Sequence, residues 1–276
     1  MAQFRIIIFD VEHGSCAFLK TPTGCTLLID CGRSDSFSPV DYILAHEMAD
    51  TVSWNGHRLT KLIVTHPHDD HIEDIHNLST RLEPAILQRY QYPWEEIKAQ
   101  GGGEDYSNLD LFAAWQQKYN QTVLVKPDWG LDIRTFSLGP IAARALNENS
   151  FVNNSSIVVV VTFQGNQFSE KFLFGADMER DGWKQLLRNP EFESAIKNVQ
   201  FYITSHHGHS SGFSTELFSA VQSRPIVNIV SVSSKDENVD SQYSKEEFAF
   251  GTMVGGEKRF MLSTTSCFKT GYKVLS

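Results

Sequence analysis

Residues 61–71 read KLIVTHPHDDH, a short apolar run followed directly by three histidines and two aspartates. The apolar part predicts a buried strand, and the polar part has the pattern H-x-H-x-D-H. Imidazole and carboxylate groups are the ligands of zinc and neighbouring transition metals. In an extended turn His66 and His68 point to the same side and can hold one ion, while Asp70 and His71 can hold a second. The stretch therefore predicts a metal-binding loop, and a solvated polar loop is the alternative.

Two later strand ends carry similar side chains. Asp177 ends the stretch FLFGAD and could bridge two ions, although an aspartate at such a position is also a common turn or helix cap. His206, His207 and His209 follow the predicted strand NVQFYITS and are plausible ligands. Because rigid strands present side chains from the loops at one edge of a sheet, polar clusters at three strand ends favour a shared function.

The composition is that of an ordinary globular protein, with 276 residues, 41% hydrophobic residues and a net charge of -9. Length alone fits one large domain or two small ones. The negative charge and the lack of a Lys/Arg-rich run weigh against sequence-independent DNA binding through a basic face. Bound metal ions would still create a local positive site.

The chain shows no targeting or membrane signal. Its start, MAQFRIIIFDVEHGSC, lacks the pattern of a secretory signal, and the longest apolar run, 157–161, is far shorter than the roughly 20 residues of a membrane helix. Cys16, Cys25, Cys31 and Cys267 have no CxxC spacing, which predicts reduced, mostly buried thiols. We therefore expect a cytoplasmic protein without membrane insertion.

β-rich runs alternate with helical patterns along the chain. Strands are predicted at 4–11, 15–20, 25–32, 61–65, 121–125, 131–138, 155–163, 171–177, 198–205 and 225–232. Helices are predicted at about 39–50, 72–82, 108–119, 180–188 and 213–221, with an irregular excursion at 91–107. No linker rich in Pro, Ser or charge interrupts this order. The pattern predicts a layered α/β protein with helices outside two sheets, in a single domain over residues 1–276.

Five segments carry a family resemblance: FDVEHGSCAFLKTPTGCTLLIDCG, LIVTHPHDDH, NNSSIVVVV, FLFGAD and ITSHHGHSSG. In order and rough spacing they resemble the metallo-β-lactamase fold. Within it the chain is most similar to the hydrolase domain of the bacterial competence DNA-uptake channel protein, and it also resembles phosphorylcholine esterases. The resemblance implies an αββα sandwich, in which two mixed β-sheets are flanked by helices. It also implies a dinuclear site with two divalent metal ions, zinc or manganese, at one edge of the sheets.

The resemblance implies a role for each member of the motif. His66 and His68 would bind the first ion, and Asp70 and His71 the second. Asp177 would bridge the two ions and, with Asp70, belong to the catalytic set.

Further residues receive supporting roles from the same resemblance. His206 would complete the shell of the second ion, and Asp30 would orient a ligand from outside that shell. Asn153 begins the Asn-x-x-Ser pattern of these relatives and would lie near the substrate. For His207 and His209 two interpretations stay open. Either could stabilise developing charge or protonate the leaving group, with His207 as the predicted catalytic residue, or both could be structural.

The chain departs from these relatives in two segments. Glu12-His13-Gly14-Ser15 stands where the relatives have Gly-Gln/His-Gly-Asp, and Glu12 is the predicted substitute for the missing acidic residue. No histidine occurs from residue 77 to 205, where many superfamily members have another ligand. One ion would then keep an open position for water or a phosphate oxygen.

A metal pair of this kind acidifies water and clamps the oxygens of a phosphoryl group. The leading hypothesis is therefore a dinuclear hydrolase of phosphodiester bonds, a nuclease acting on DNA or RNA. The alternative enzyme is a small-molecule phosphodiesterase or phosphorylcholine esterase, which would need no basic groove. A third hypothesis is a metal-binding regulator with a structural site, although structural zinc sites are usually closed. The competence-type domains are attached to membrane channels. The resemblance therefore implies that this chain acts either alone or with a separately encoded protein partner.

Overall fold

The computed structural model describes residues 4–101, 105–121, 126–165, 169–232 and 238–264. The chain divides into two units with dense internal contacts, residues 1–130 with 270–276 and residues 131–269. Each unit contains one large mixed sheet. The prediction of a single domain stays a prediction.

The described part of the first unit contains a five-stranded sheet in the order β1-β2-β3-β4-β5. Its first three strands pair antiparallel, and β3, β4 and β5 run parallel. The strands are β1 (Arg5–Ile8), β2 (Ala17–Lys20), β3 (Thr26–Ile29), β4 (Leu59–Ile63) and β5 (Pro84–Gln88), and the helices are α1 (Pro39–His46), α2 (Ile75–Arg81), α3 (Trp94–Gly101) and α4 (Ser107–Trp115).

Burial of apolar side chains fixes the register of this sheet. All four residues of β3 are buried, and Phe18, Leu28 and Leu62 are fully inaccessible to solvent. The turn between β2 and β3 places Gly24 at φ +82°, a backbone conformation that glycine adopts without steric cost. The parallel pairing of β3 with β4 brings the carboxyl ends of both strands to the same edge of the sheet.

Helices α1 and α2 meet at one buried carboxylate. Ser38 caps α1 and Pro39 occupies its first turn, as helix starts favour. Asp74, which is fully buried, accepts hydrogen bonds from Ser38 Oγ at 2.7 Å, Val40 N at 2.9 Å and Asn77 Nδ2 at 2.8 Å. These bonds hold both helices against the segment that follows the histidine motif.

The described part of the second unit contains a six-stranded sheet in the order β13-β10-β9-β8-β7-β6 and a two-stranded hairpin, β11-β12. The strands are β6 (Asp132–Phe136), β7 (Val158–Gln164), β8 (Ser169–Phe174), β9 (Phe201–Ile203), β10 (Val227–Val230), β11 (Thr252–Val254), β12 (Glu257–Arg259) and β13 (Met261–Ser263). The helices are α5 (Gly139–Leu146), α6 (Phe151–Asn154), α7 (Arg180–Leu186), α8 (Pro190–Ala195) and α9 (Thr215–Val221).

Buried apolar side chains stabilise the six-stranded sheet of the second unit. The run 158–161 in β7 is buried on both faces, as an interior strand requires. Trp183 of α7 stacks on Phe192 of α8 with ring centroids 6.0 Å apart, and Phe213 packs edge-on against Phe248 at 4.9 Å. Strands β8 and β9 are parallel, so their carboxyl ends also lie at one edge.

The predicted fold class is confirmed, since two large mixed sheets with flanking helices are present. The interpretation of 91–107 as an irregular excursion is wrong, because α3 forms within it. Helix α1 ends at His46 rather than near residue 50. The elements β5, α5, α6, α8, β11, β12 and β13 were not predicted from the sequence. The predicted strand at 121–125 lies largely outside the described residues.

Two expectations about the bulk of the chain can be compared with the structure. Cys16, Cys25 and Cys31 are buried and free, as predicted, and Cys267 lies outside the described residues. Among the described segments, no helix combines the length and the apolarity needed to cross a membrane.

Candidate metal centre

The histidine motif leaves the first sheet at its interior strand. After β4 ends at Ile63, Val64 N still donates to Gln88 O at 2.9 Å, and the chain then turns away. Residues Asp69–His71 form a single 3₁₀ turn, in which His71 N donates to His68 O at 3.0 Å. This turn reverses the chain within a few residues, so the donors of the motif stay close together.

His66 and His68 have the geometry of two ligands on one ion. His66 Nε2 lies 3.1 Å from His68 Nδ1, and His66 is buried. Two nitrogen ligands on a tetrahedral zinc ion, with bonds of 2.0–2.1 Å, lie about 3.3 Å apart. The spacing of the pair is compatible with a shared divalent metal, and their role as ligands stays a prediction.

The carboxylate of Asp30 orients the ring of His71 through a hydrogen bond at Nδ1. This carboxylate is buried and accepts from Thr65 N at 2.7 Å, Thr65 Oγ1 at 2.9 Å and His71 Nδ1 at 2.8 Å. Because a carboxylate only accepts, His71 donates from Nδ1 and keeps Nε2 as the lone-pair nitrogen for a metal. The Nε2 atom lies 3.8 Å from Asp70 Oδ2, so these two donors face each other.

Close backbone packing fixes the position of Asp70. Its carbonyl accepts from Ser15 N at 3.2 Å. A Cβ atom added to Gly14 or Gly32 would lie 2.6 or 2.3 Å from the same carbonyl oxygen, which is closer than any real side chain allows. The neighbouring Cys31 N donates to His71 O at 2.9 Å. Two glycines thus let two other loops approach the motif from the backbone side.

Carboxylates crowd around the motif. Burial raises the pKa of Asp69, although Asn108 donates to its carboxylate at 3.0 Å and opposes the shift. Burial, with a further contribution from Asp69, raises the pKa of Glu73 to about 7. This concentration of acidic groups favours a cation at the motif.

His13 is a residue near the motif that the sequence reasoning missed. A ligand atom of His13 lies within 4.8 Å of a ligand atom of Asp70. The sequence reasoning selected Glu12 at this loop instead, whose φ of +61° belongs to the turn and whose amide donates to Asp10 Oδ1 at 3.4 Å. His13 stands where the relatives have Gln or His, and this match is the sequence signal that could have identified it.

The second unit carries its own cluster of donors beyond strands β8 and β9. Asp177 follows β8 and is buried, while His206 and His207 follow β9. The two loops are joined by backbone bonds, from Gly175 N to Ile203 O at 2.9 Å and from His206 N to Ala176 O at 2.7 Å. The structure therefore brings the predicted Asp177 and the predicted histidines of this unit together.

The two adjacent histidines adopt a backbone conformation that is rare for side chains of their size. His206 and His207 have φ values of +50° and +52°, in the left-handed region that costs roughly 1–2 kcal/mol per residue. Ser205 anchors the turn, since its hydroxyl accepts from Trp183 Nε1 at 3.0 Å and lies 2.9 Å from Tyr202 Oη. Strain held by buried contacts is typical of functional segments.

Of the two, His207 has the better geometry for a metal shared with Asp177. Its Nε2 lies 3.6 Å from Asp177 Oδ2, whereas His206 Nε2 lies 4.0 Å from the same atom. His207 is buried, and the side chain of His206 is 26% exposed. His206 Nδ1 instead lies 2.7 Å from Ser211 Oγ and 3.7 Å from Glu179 Oε1.

The remaining predicted residues lie around His206. His209 Nδ1 lies 2.9 Å from Ser211 Oγ, so one hydroxyl joins both histidines. Asn153 Nδ2 donates at 3.3 Å to Glu179 Oε1, which connects the predicted substrate residue to the same group. Glu179 was not selected from the sequence, although it stands only two residues after Asp177.

The segment that contains His13, Asp30 and the whole H-x-H-x-D-H motif can be compared with known families. Residues 9–87 match the metallo-beta-lactamase superfamily. With the two mixed sheets, this match confirms the fold that the sequence predicted. The match covers residues 9–87 only, and the comparisons give no support for the closer resemblance to the competence-type domain. No curated protein sequence matches the chain.

Solved structures with a similar fold include proteins with different activities. A variant of CmlA β-hydroxylase shares 14% identity, with 83% of this chain and 46% of that chain covered and a TM-score of 0.46. A B3 metallo-β-lactamase with an active-site glutamic acid shares 14% identity, with 79% and 83% covered and a TM-score of 0.45. Zinc-bound PqqB from Methylobacterium extorquens shares 12% identity, with 69% and 59% covered and a TM-score of 0.38. Likenesses this weak identify no activity for the chain.

Proposed function

We propose that this chain is a metal-dependent hydrolase that cleaves phosphodiester bonds. The observation that carries the proposal is that both units place imidazole beside carboxylate after the ends of parallel strands, with His71 Nε2 and Asp70 Oδ2 3.8 Å apart in one and His207 Nε2 and Asp177 Oδ2 3.6 Å apart in the other. Mixed imidazole and carboxylate donors suit zinc and manganese alike. The superfamily matched by residues 9–87 consists mostly of metal-dependent hydrolases.

The residues of the first unit would have distinct roles at the metal centre. His66, His68, Asp70 and His71 would hold metal in the first unit, and Asp30 would keep His71 in the tautomer that binds. When bound, the ions supply Lewis-acid polarisation of a phosphoryl oxygen and acidify water at neutral pH. The burial of His66 and His71 keeps bulk water away from these donors.

In the second unit the contacts favour other roles for His206 and His207 than those predicted from the sequence. Asp177 and His207 would hold metal, and His206 would carry the proton. Ser211 Oγ and Glu179 Oε1 lie at His206 Nδ1 and orient the ring, while partial exposure leaves the ring able to reach a leaving oxygen. That Asp177 bridges two ions stays a prediction, tested by the metal content of Asp177→Asn.

The substrate class rests on the closer family resemblance and on chemistry. A phosphodiester carries negative charge that divalent ions neutralise, and nucleic acid is the substrate that the competence-type resemblance implies. The net charge of -9 instead favours a small phosphodiester, which needs no extended basic surface. Both substrates share the reacting group, so one assay distinguishes them.

The test is hydrolysis by the purified protein reconstituted with zinc or manganese. Substrates are single-stranded DNA, RNA, a cyclic dinucleotide, bis-p-nitrophenyl phosphate and a chromogenic β-lactam. We expect phosphodiester turnover that His68→Ala abolishes. His76→Ala, at an exposed histidine of α2, is the matched control and should retain turnover. Turnover of the small esters alone would select the small-molecule alternative.

Two results would overturn the proposal. Hydrolysis of the β-lactam alone would place the chain with a different substrate class. Tight metal binding without turnover of any substrate would support the regulator hypothesis, in which the metal is structural.

A further inference from the structure

We propose that His13 is a metal ligand, which donates to the same ion as Asp70. The inference rests on the proposed function, because it adds a residue to the metal centre described above. His13 belongs neither to the H-x-H-x-D-H motif nor to the donors of the second unit.

The first argument is proximity. One ligand atom of His13 and one of Asp70 lie within 4.8 Å of each other. Two ligands of one zinc ion, with bonds of about 2.0–2.2 Å, cannot lie more than about 4.4 Å apart. The observed limit is therefore close to shared coordination, and rotation of an exposed side chain closes the small difference.

The second argument is how firmly the backbone of this loop is placed. Glu12, at φ +61°, turns the chain immediately before His13. Gly14, immediately after it, packs against the carbonyl of Asp70, and Ser15 N donates to that carbonyl at 3.2 Å. The backbone on both sides of His13 is therefore fixed relative to Asp70. The loop therefore needs no backbone rearrangement to present the imidazole near Asp70.

The third argument is the number of donors. Zinc binds four ligands in structural sites and three protein ligands plus water in catalytic sites. In the first unit Asp70 and His71 face each other at 3.8 Å, which provides two donors for one ion. The sequence has no histidine from 77 to 205, so no further imidazole of the first unit follows His76 before residue 130. His13 would raise the donors of the first unit at this ion from two to three.

Zinc binding tests the inference directly. Zinc content after dialysis at controlled free zinc, and affinity by chelator competition, would be compared for the wild type, His13→Ala and His76→Ala. We expect His13→Ala to lower the affinity for one of the bound zinc ions at least about 10-fold. Loss of a residue that only supports a ligand already lowers metal affinity by about 10-fold or more. His76→Ala should bind zinc as the wild type does. Equal affinity in all three proteins would refute the role of His13.

A second measurement follows zinc binding in the wild-type protein itself, and a variant is used only to assign one resonance. In the ¹⁵N spectrum of histidine-labelled wild-type protein, a coordinated ring nitrogen shifts strongly when zinc is added. We expect such a shift for the His13 resonance, assigned through His13→Ala, and none for His76. An unshifted His13 resonance beside shifted resonances of His66 and His68 would overturn this inference and leave the proposed function intact. No zinc binding by the wild type at all would instead overturn the proposed function.

Discussion

The contact between Asp30 and His71 leads to a prediction with a defined magnitude. The substitution Asp30→Asn keeps the shape of the side chain and the acceptor for Thr65 N, but it places an amide group at the position of Oδ2. That position now faces His71 Nδ1 at 2.8 Å. An amide N–H donates, so His71 must accept through Nδ1 and carry its proton on Nε2, the nitrogen that would bind metal.

The cost follows from the hydrogen bond that is lost. Binding metal would require His71 to return to the other tautomer and to face the amide donor with its own N–H. A hydrogen bond to a charged group contributes about 1.5–3 kcal/mol, and about 1.4 kcal/mol corresponds to tenfold in affinity. We therefore expect Asp30→Asn to weaken zinc binding by about 10- to 150-fold.

Asp74→Asn is the matched control for this variant. Asp74 is also fully buried and accepts hydrogen bonds, but from Ser38, Val40 and Asn77 rather than from a metal donor. Chelator competition should show weakened zinc binding for Asp30→Asn alone, while thermal unfolding of the metal-free proteins should show both variants destabilised. Zinc affinity of Asp30→Asn within twofold of the wild type would refute the tautomer argument.

Three further predictions concern metal binding and stability. His207→Ala should weaken zinc binding more than tenfold, whereas His206→Ala should retain binding and lose turnover, which parallel metal analysis and kinetics would show. Gly32→Ala should lower the free energy of unfolding by about 1–3 kcal/mol and weaken zinc binding, because its Cβ would meet a carbonyl 2.3 Å away. Burial, with a smaller contribution from Lys126, lowers the pKa of Lys61 to about 8 from 10.5, so the unfolded chain binds the extra proton between these values and stability should rise with pH there. Lys61→Met should stabilise the protein at pH 7 and flatten that rise in denaturant titrations.

The cluster of donor side chains could be predicted because its members are adjacent in the chain. The motif from His66 to His71 combines a strand end, a tight turn and a dense set of ligand types, so local sequence is sufficient. The role proposed for His13 rests on its proximity to Asp70, more than 50 residues away in the sequence, which packing at Gly14 and Gly32 makes possible. The choice between His206 and His207 depends on left-handed backbone conformations that no side-chain pattern indicates.

The missed elements have similar physical reasons. Helix α3 ends at Gly101, the first of three consecutive glycines, whose low helix propensity obscured the pattern before them. Helix α8 has a clear start, since Asn189 caps it and Pro190 opens it, but it is only six residues long. The hairpin β11-β12 has a Gly-Gly turn, a known hairpin signal, yet its strands are short and largely exposed and lack an alternating apolar pattern.

The way the loop around Asp70 is held has a consequence for how the protein matures. Its shape depends on main-chain bonds from Ser15 and Cys31 and on contacts at two glycines, none of which involves a donor side chain. Many small zinc domains, by contrast, fold only when the ion arrives. We therefore expect this chain to fold before it binds an ion. The supply of metal would then determine its activity and not its stability. The amides of Ser15 and His71 should then exchange with deuterated solvent equally slowly before and after chelation.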